Sequence, residues 1–283
     1  MLCIVGTIPQ ADFPLAAGAV ELNGQTLRLG EHRLPVQRGT AALLAAAAAA
    51  LNFLGAPPPF AYLVGDTGRG DGSRRLYRYL ADRLAGSKLS TLTFHYIQPD
   101  VDWHNRVLFA LQAMNPRPMT VADAGFMYVA KMSGQAEEYD LFTPDAGELA
   151  FLADETAPHP FYTRGFILQE EDRAPELIAR AYEHRNAARY LLVKGRVDYL
   201  ANAQGVLAEV AAPQIEALEA MGGTGDTLTG LAAALLEAGL SVPEAAVGAA
   251  RANRLAGALA QPNPATQVGE LIARLPQALA ALG

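Results

Sequence analysis

Apolar and polar positions change period repeatedly along this chain, and each change marks an element. Leu2–Ile8, "LCIVGTI", is a short, almost unbroken apolar run and predicts a buried first strand. "AVELNGQTLRL", residues 19–29, breaks at Asn23-Gly24 into two short runs, the pattern of a β-hairpin. Gly39 and Thr40 then open an alanine-dominated stretch, Ala41–Ala56, the longest apolar run in the chain. It contains Asn52, stops at three prolines, and is shorter than the roughly 18 apolar residues of a membrane span, so it predicts a buried helix. Strands are expected at 60–65, 90–97, 119–125, 138–144 and 189–195, and helices at 73–84, 102–114, 145–154 and 174–187. Two more strands, 196–202 and 205–210, flank an Ala-Gln-Gly turn, and the remainder reads as helical.

Regular alternation of strand and helix argues for a three-layer α/β fold, a mostly parallel sheet with helices on both faces. No flexible linker, fixed-period repeat or low-complexity segment divides the chain, so residues 1–283 are expected to form a single domain. In such sheets ligands bind beyond the carboxyl ends of the strands, which directs attention to loops that leave a strand and enter a helix.

Composition narrows the function classes. There are 22 Lys and Arg against 29 Asp and Glu, a net charge of −7, and no basic cluster, so a nucleic-acid partner is not expected. The single cysteine, Cys3, excludes a disulfide within the chain and suits a reducing cytoplasm. "MLCIVGTIP" lacks the charged start of a signal peptide and reads as the first strand, and no membrane association is expected.

One loop carries the clearest candidate chemistry. "GGTGDTLTG", residues 222–230, places Gly222, Gly223 and Gly225 immediately before an alanine-leucine helix, with Asp226 at the join. A helix start offers unpartnered N–H groups and the positive end of the dipole, and glycines let those amides converge on one anion, above all a phosphate. A carboxylate beside a phosphate repels it unless it takes a proton from an attacking hydroxyl. The plainer alternative is a turn in which Asp226 caps its helix. Elsewhere, Asp145 and Glu148 have the spacing of a capping box. Asp123 ends a strand, where it is either a substrate contact or a cap. "LVGDTGRGDG" is a weak dinucleotide fingerprint, with Ser73 where the third glycine belongs. Asp100, Asp102 and His104 would share a face in an extended segment, but read more simply as a solvated loop before a helix.

"GGTGDTLTG" resembles the GxGD signature of the ribokinase-like superfamily, and its GTGDTLTG form is most similar to the NAD(P)H-hydrate dehydratases of that fold. The resemblance implies that Asp226 is the catalytic base and that Gly222, Gly223, Thr224 and Gly225 form the anion hole. Thr143-Pro144-Asp145-Ala146-Gly147-Glu148 is similar to the TPNxxE of sugar kinases and the TPHxGE of the dehydratases. This implies that Glu148 holds Mg²⁺ through water, with Asp145, in place of Asn or His, adding to it. Lys194-Gly195 resembles the segment bordering the nucleotide, and Asn253 falls on the helix that lines the adenine pocket. The N-terminal half follows the kinase pattern, which places Gly39, Thr40, Gly65, Asp66 and Asp123 near the substrate and the hairpin at about 19–30 where sugar kinases carry a lid. The implied activity is an ATP- or ADP-dependent, Mg²⁺-requiring NAD(P)H-hydrate dehydratase. The alternatives are a kinase of a sugar or other small alcohol and a non-catalytic nucleotide-binding protein. The partners are a nucleotide and a small molecule, with a homo-oligomer as a further expectation.

Overall fold

The computed structural model describes residues 1–155 and 173–283. Among the described residues eleven strands form one sheet, numbered in chain order: β1 (Leu2–Ile8), β2 (Ala16–Asn23), β3 (Thr26–Leu29), β4 (His32–Pro35), β5 (Phe60–Gly65), β6 (Thr91–His95), β7 (Met119–Ala122), β8 (Leu141–Phe142), β9 (Tyr190–Val193), β10 (Asp198–Asn202) and β11 (Gly205–Val210). Their spatial order is β11-β10-β9-β8-β7-β6-β1-β5-β2-β3-β4. The central strands, from β5 through β1, β6, β7 and β8 to β9, run parallel, and the pairs at both margins are antiparallel. β1 is buried at every position, as a central strand covered on both faces must be.

Helices cover both faces. On one lie α1 (Thr40–Phe53), α7 (Thr224–Glu237), α8 (Val242–Ala260), α9 (Val268–Ile272) and α10 (Leu275–Leu282). On the other lie α2 (Asp71–Arg83), α3 (Val101–Gln112), α4 (Gly125–Met132), α5 (Ala146–Ala153) and α6 (Ala174–Glu183). The alanine-rich helix is buried from Thr40 to Leu51. Its small side chains allow α7 to approach closely: a Cβ on Gly230 would lie 2.2 Å from the Leu43 carbonyl oxygen. That contact brings the two helix starts, Gly39 and Gly223–Asp226, to the same place.

Several boundaries differ from the sequence expectation. The strand expected over 119–125 stops at Ala122, because Ala124 takes φ 47° and Gly125 starts α4, an element the sequence pattern did not suggest. A Cβ on Gly125 would lie 2.5 Å from the Ile97 carbonyl oxygen, so the glycine permits a backbone contact there. The strand expected over 138–144 shrinks to Leu141–Phe142, and the one over 90–97 ends at His95, since Tyr96 adopts φ 53°. β4 was also not expected; it is held by pairing with β3. The hairpin forms as expected, and Val20, Leu27 and Leu29 are buried in the core beside α1. Among the described residues no helix is long and apolar enough to cross a membrane.

Candidate active site

A cleft of about 500 Å³ opens beyond the carboxyl ends of β6, β7 and β9. Its lining includes Gly223, Thr224, Gly225, Asp226, Lys194, Gly195, Asp123, Asp145, Glu148 and Asn253, residues drawn from five separate segments. His95 and Tyr96 line it as well.

Gly223 is the N-cap of α7, at φ 106°, a left-handed conformation suited to glycine. Its neighbour Gly222 lies just outside the lining, with a Cβ position 3.4 Å from Arg38 Cδ. Among the described residues, no acceptor pairs with the amides of Gly223, Thr224, Gly225 or Asp226. These are the free donors of a helix start. Asp226 does not cap its own helix. Its Oδ2 accepts the Gly39 N–H at 2.6 Å, and its Oδ1 lies 3.0 Å from His95 Nε2. Burial disfavours the ionised carboxylate, but the His95 hydrogen bond, the His95 ring and the Gly39 N–H outweigh it, and the carboxyl is held below its ordinary range. Gly39 and Thr40 thus meet Asp226 at the head of α1: Gly39 directly, and Thr40 through His95, whose Nδ1 is 3.0 Å from Thr40 Oγ1.

Asp123 is the buried keystone of the cleft floor. It accepts the Ala124 N–H at 2.8 Å, the Thr229 hydroxyl at 2.6 Å and the Lys194 ammonium at 2.9 and 3.0 Å. Burial disfavours the charge of Lys194, yet Asp123, Glu148 and Asp145 together hold its pKa above the usual ammonium range. The ligand-type atoms of His95, Asp123 and Asp226 lie within 4.8 Å of one another, but they are committed to one another, to Lys194 and to Gly39. Lys194 also packs against the glycine loop, its Nζ 3.5 Å from where a Cβ on Gly225 would lie.

The capping box is present: Asp145 Oδ1 accepts the Glu148 N–H and Glu148 Oε2 accepts the Asp145 N–H, both at 2.8 Å. Each carboxylate keeps its second oxygen for other work, and the Tyr128 hydroxyl donates to Glu148 Oε1 at 3.2 Å. Burial, with Asp145 beside it, pushes the Glu148 carboxyl up. Asn253 accepts from the Thr227 hydroxyl at 2.6 Å and donates to the Thr224 carbonyl at 3.0 Å, which ties α8 to the first turn of α7. Its neighbour Arg254 binds Asp198 at 2.7 Å and the carbonyls of Gly195 and Arg196 at 2.8 and 2.9 Å, which fixes the Lys194–Gly195 turn.

Gly65 and Asp66 stand apart from this group and do not line the cleft. Asp66 accepts the N–H groups of Gly68, Gly70 and Ser73 and the Ser73 hydroxyl, at 2.8–3.1 Å. The Asp100, Asp102, His104 trio also disperses: Asp100 caps α3, and His104 is buried against the Tyr139 hydroxyl at 2.8 Å. His95 and Arg254 were not singled out from the sequence. Their partners are 55, 56 and 131 positions away, and the only local signal was a polar side chain within an apolar segment.

Residues 98–277 match the carbohydrate-kinase family profile described as NAD(P)H-hydrate dehydratase. The chain belongs to this family. An uncharacterized protein of Methanocaldococcus jannaschii is 39% identical over 216 residues, covering 76% of this chain and 88% of that one. The bifunctional NAD(P)H-hydrate repair enzyme Nnr of Pyrobaculum aerophilum is 33% identical over 141 residues, covering 49% of this chain and 25% of the longer protein. Among solved structures, a ribokinase-like superfamily protein from Enterococcus faecalis superposes with TM-score 0.59 at 15% identity, covering 99% of this chain and 86% of that chain. The ADP/ATP-dependent NAD(P)H-hydrate dehydratase from Bacillus subtilis, co-crystallized with ATP/Mg²⁺, gives 0.58 at 16% identity, covering 100% and 90%. The fold is ribokinase-like.

Proposed function

We propose that this protein is an ATP- or ADP-dependent NAD(P)H-hydrate dehydratase. The observation that carries the reading is the pairing of a held carboxylate, Asp226, with the unpartnered amides of Gly223–Asp226 at one helix start. The hydroxyl oxygen of the hydrate attacks the terminal phosphorus of the nucleotide, and its proton passes to Asp226. The bond to the leaving phosphate oxygen breaks, releasing ADP from ATP or AMP from ADP. The amides of Gly223, Thr224 and Gly225 stabilise charge on the transferred oxygens. The carbon–oxygen bond of the phosphorylated hydrate then breaks, phosphate leaves, and loss of a proton from the adjacent ring carbon restores the double bond.

Asp145 and Glu148 fit a hydrated divalent cation, because each keeps one carboxylate oxygen beyond the capping box and the repulsion between the two carboxyls, which helps push Glu148 up, is what a bound cation would relieve. Mg²⁺ bound there would neutralise nucleotide phosphate charge. Lys194 and Asn253 would border the nucleotide, and Asp123 the substrate. The hairpin supports the dehydratase over a sugar kinase: its apolar side chains belong to the core, and none of its residues lines the cleft.

The test mixes the protein with hydrated NADH, Mg²⁺ and either ATP or ADP, and follows the near-ultraviolet absorbance of the reduced nicotinamide. A rise is expected, lost in Asp226→Asn. A protein that binds nucleotide and gives no rise with either donor would overturn the dehydratase and turn the search to small alcohols as phosphate acceptors.

A further inference from the structure

Asp226 is gripped from two elements that are far apart in sequence. The head of α1 supplies the Gly39 N–H to one carboxylate oxygen, and the end of β6 supplies His95 Nε2 to the other. His95 is fully buried, and its second nitrogen meets the Thr40 hydroxyl. We propose that His95 is the positioning residue for the base: its Nε2–H donates to Asp226 Oδ1 while its Nδ1 meets the Thr40 hydroxyl, and the two contacts together fix the plane of the carboxylate. The proposal rests on reading Asp226 as the base.

The tautomer follows from the partners. An ionised carboxylate only accepts, so the nitrogen facing Asp226 must carry the proton. Whenever the ring carries one proton, the other nitrogen is then an acceptor, and Thr40 Oγ1, which has no other partner among the described residues, donates to it. With one donor on each oxygen, the plane of the Asp226 carboxylate is set, and Asp226 itself lines the cleft.

The surrounding chain is shaped to make this contact. A Cβ on Gly6, in β1, would lie 2.6 Å from Thr40 Cγ2 and 2.8 Å from the His95 carbonyl oxygen, so a glycine is needed where α1 and β6 converge. Directly after His95 the chain turns through Tyr96 at φ 53°, and the Thr7 hydroxyl holds the Tyr96 carbonyl at 2.6 Å. A non-glycine residue persists in that conformation only where its surroundings over-determine it. Two consecutive residues of β1, Gly6 and Thr7, therefore both serve the placement of one histidine.

The charged and titratable groups facing Asp226 are His95 from β6, Lys194 beyond β9 and Tyr96; Asp123 beyond β7 lies 3.8 Å from His95, and Glu148 and Asp145 at the head of α5 act on Lys194. Of these, His95 donates directly to the carboxylate and does most to hold its pKa down. Removing that bond raises the Asp226 pKa. A base must be ionised to work, so activity in the variant is lost at a higher pH as acid is added.

Two variants separate positioning from packing. His95→Phe fills the space without a donor, and His95→Gln restores an N–H near the position of Nε2. In the hydrated-NADH assay, His95→Phe should lower kcat about 10- to 100-fold with KM changed less than about threefold, the scale of a misplaced catalytic group. Its acid limb should move upward. His95→Gln should recover most of the rate and return the limb. Equal losses in both variants with the acid limb unmoved would reduce His95 to packing. A second measurement needs no turnover: ¹⁵N NMR of histidine-labelled protein at pH 8 should show His95 protonated at Nε2 and bare at Nδ1. The opposite tautomer would overturn the proposal even in an active enzyme. If the wild type turns over nothing, the dehydratase reading fails while the tautomer still decides the role of His95.

Discussion

Two loops in this protein look alike in sequence and do opposite things. Residues 65–73, "GDTGRGDGS", and residues 222–230, "GGTGDTLTG", each combine four glycines with aspartate and lead into a helix. In the first, Asp66 turns inward and takes the loop's own donors: three backbone N–H groups and the Ser73 hydroxyl. In the second, Asp226 turns outward to Gly39 and His95, and the amides beside it stay free. The glycines differ as well. A Cβ on Gly65 would lie 2.0 Å from the Gln10 carbonyl oxygen, and one on Gly72 would lie 2.0 Å from that of Gly65, so these glycines permit backbone to pass backbone. The nearest atoms to a Cβ on Gly225 would be those of the flexible Lys194 side chain, at 3.4–3.6 Å. A glycine loop is thus diagnosed by where its amides point and by who receives them.

The comparison breaks most sharply at the two aspartates. Asp226→Asn should lower turnover by about a thousandfold or more, the scale of a lost general base, and cost no more than about 1 kcal/mol of stability, since the amide oxygen still accepts one of its two donors. Asp66→Asn should do the reverse, with kcat within about threefold of wild type and about 2 kcal/mol of stability lost as loop donors lose their acceptor. Thermal denaturation beside steady-state kinetics reads both, and a large rate loss in Asp66→Asn would return that loop to the active site.

The glycines sharpen the same contrast. Gly65→Ala forces a backbone collision and should cost about 3 kcal/mol or more, measured by urea denaturation. Gly225→Ala should cost under about 1 kcal/mol while weakening nucleotide binding in a titration calorimeter, because the new methyl, in ordinary contact with Lys194, stands beside the unpartnered amides that would receive the anion.

The last effect appears only on acidification, far from both loops. Burial lowers the His104 pKa to about 4 from the usual 6.5. Its folded-state pKa is depressed, so the fold favours the neutral ring, and the stability this represents is complete above the unfolded pKa and falls as pH drops from about 6.5 toward 4. At pH 5 the loss is about 2 kcal/mol. His104→Gln should flatten this part of the stability curve in denaturation midpoints taken between pH 7 and 4.5.

Much of the architecture was legible in the sequence. Period-two and unbroken apolar runs identified most of the strands, alanine density identified α1, and the Asp145–Glu148 spacing identified a capping box that the structure contains. The short elements escaped because their bounds depend on tertiary contacts: β8 has two residues, and α4 begins where Gly125 meets Ile97. The GGTGD loop was found because its chemistry lies within five consecutive residues. His95 was not found, and Gly39 was expected near the substrate but not as a partner of Asp226, since His95 reaches Asp226 across 131 positions and Gly39 reaches it across 187. By itself the sequence determined the alternation of elements, the family and the aspartate at the helix start, because local propensity and glycine spacing are written residue by residue. Only the tertiary structure decided that Asp226 faces α1 and β6 while Asp66 faces its own loop. That choice depends on Gly230 letting α1 lie against α7 and Gly6 letting β6 meet Thr40, close approaches that exist only once the layers have packed.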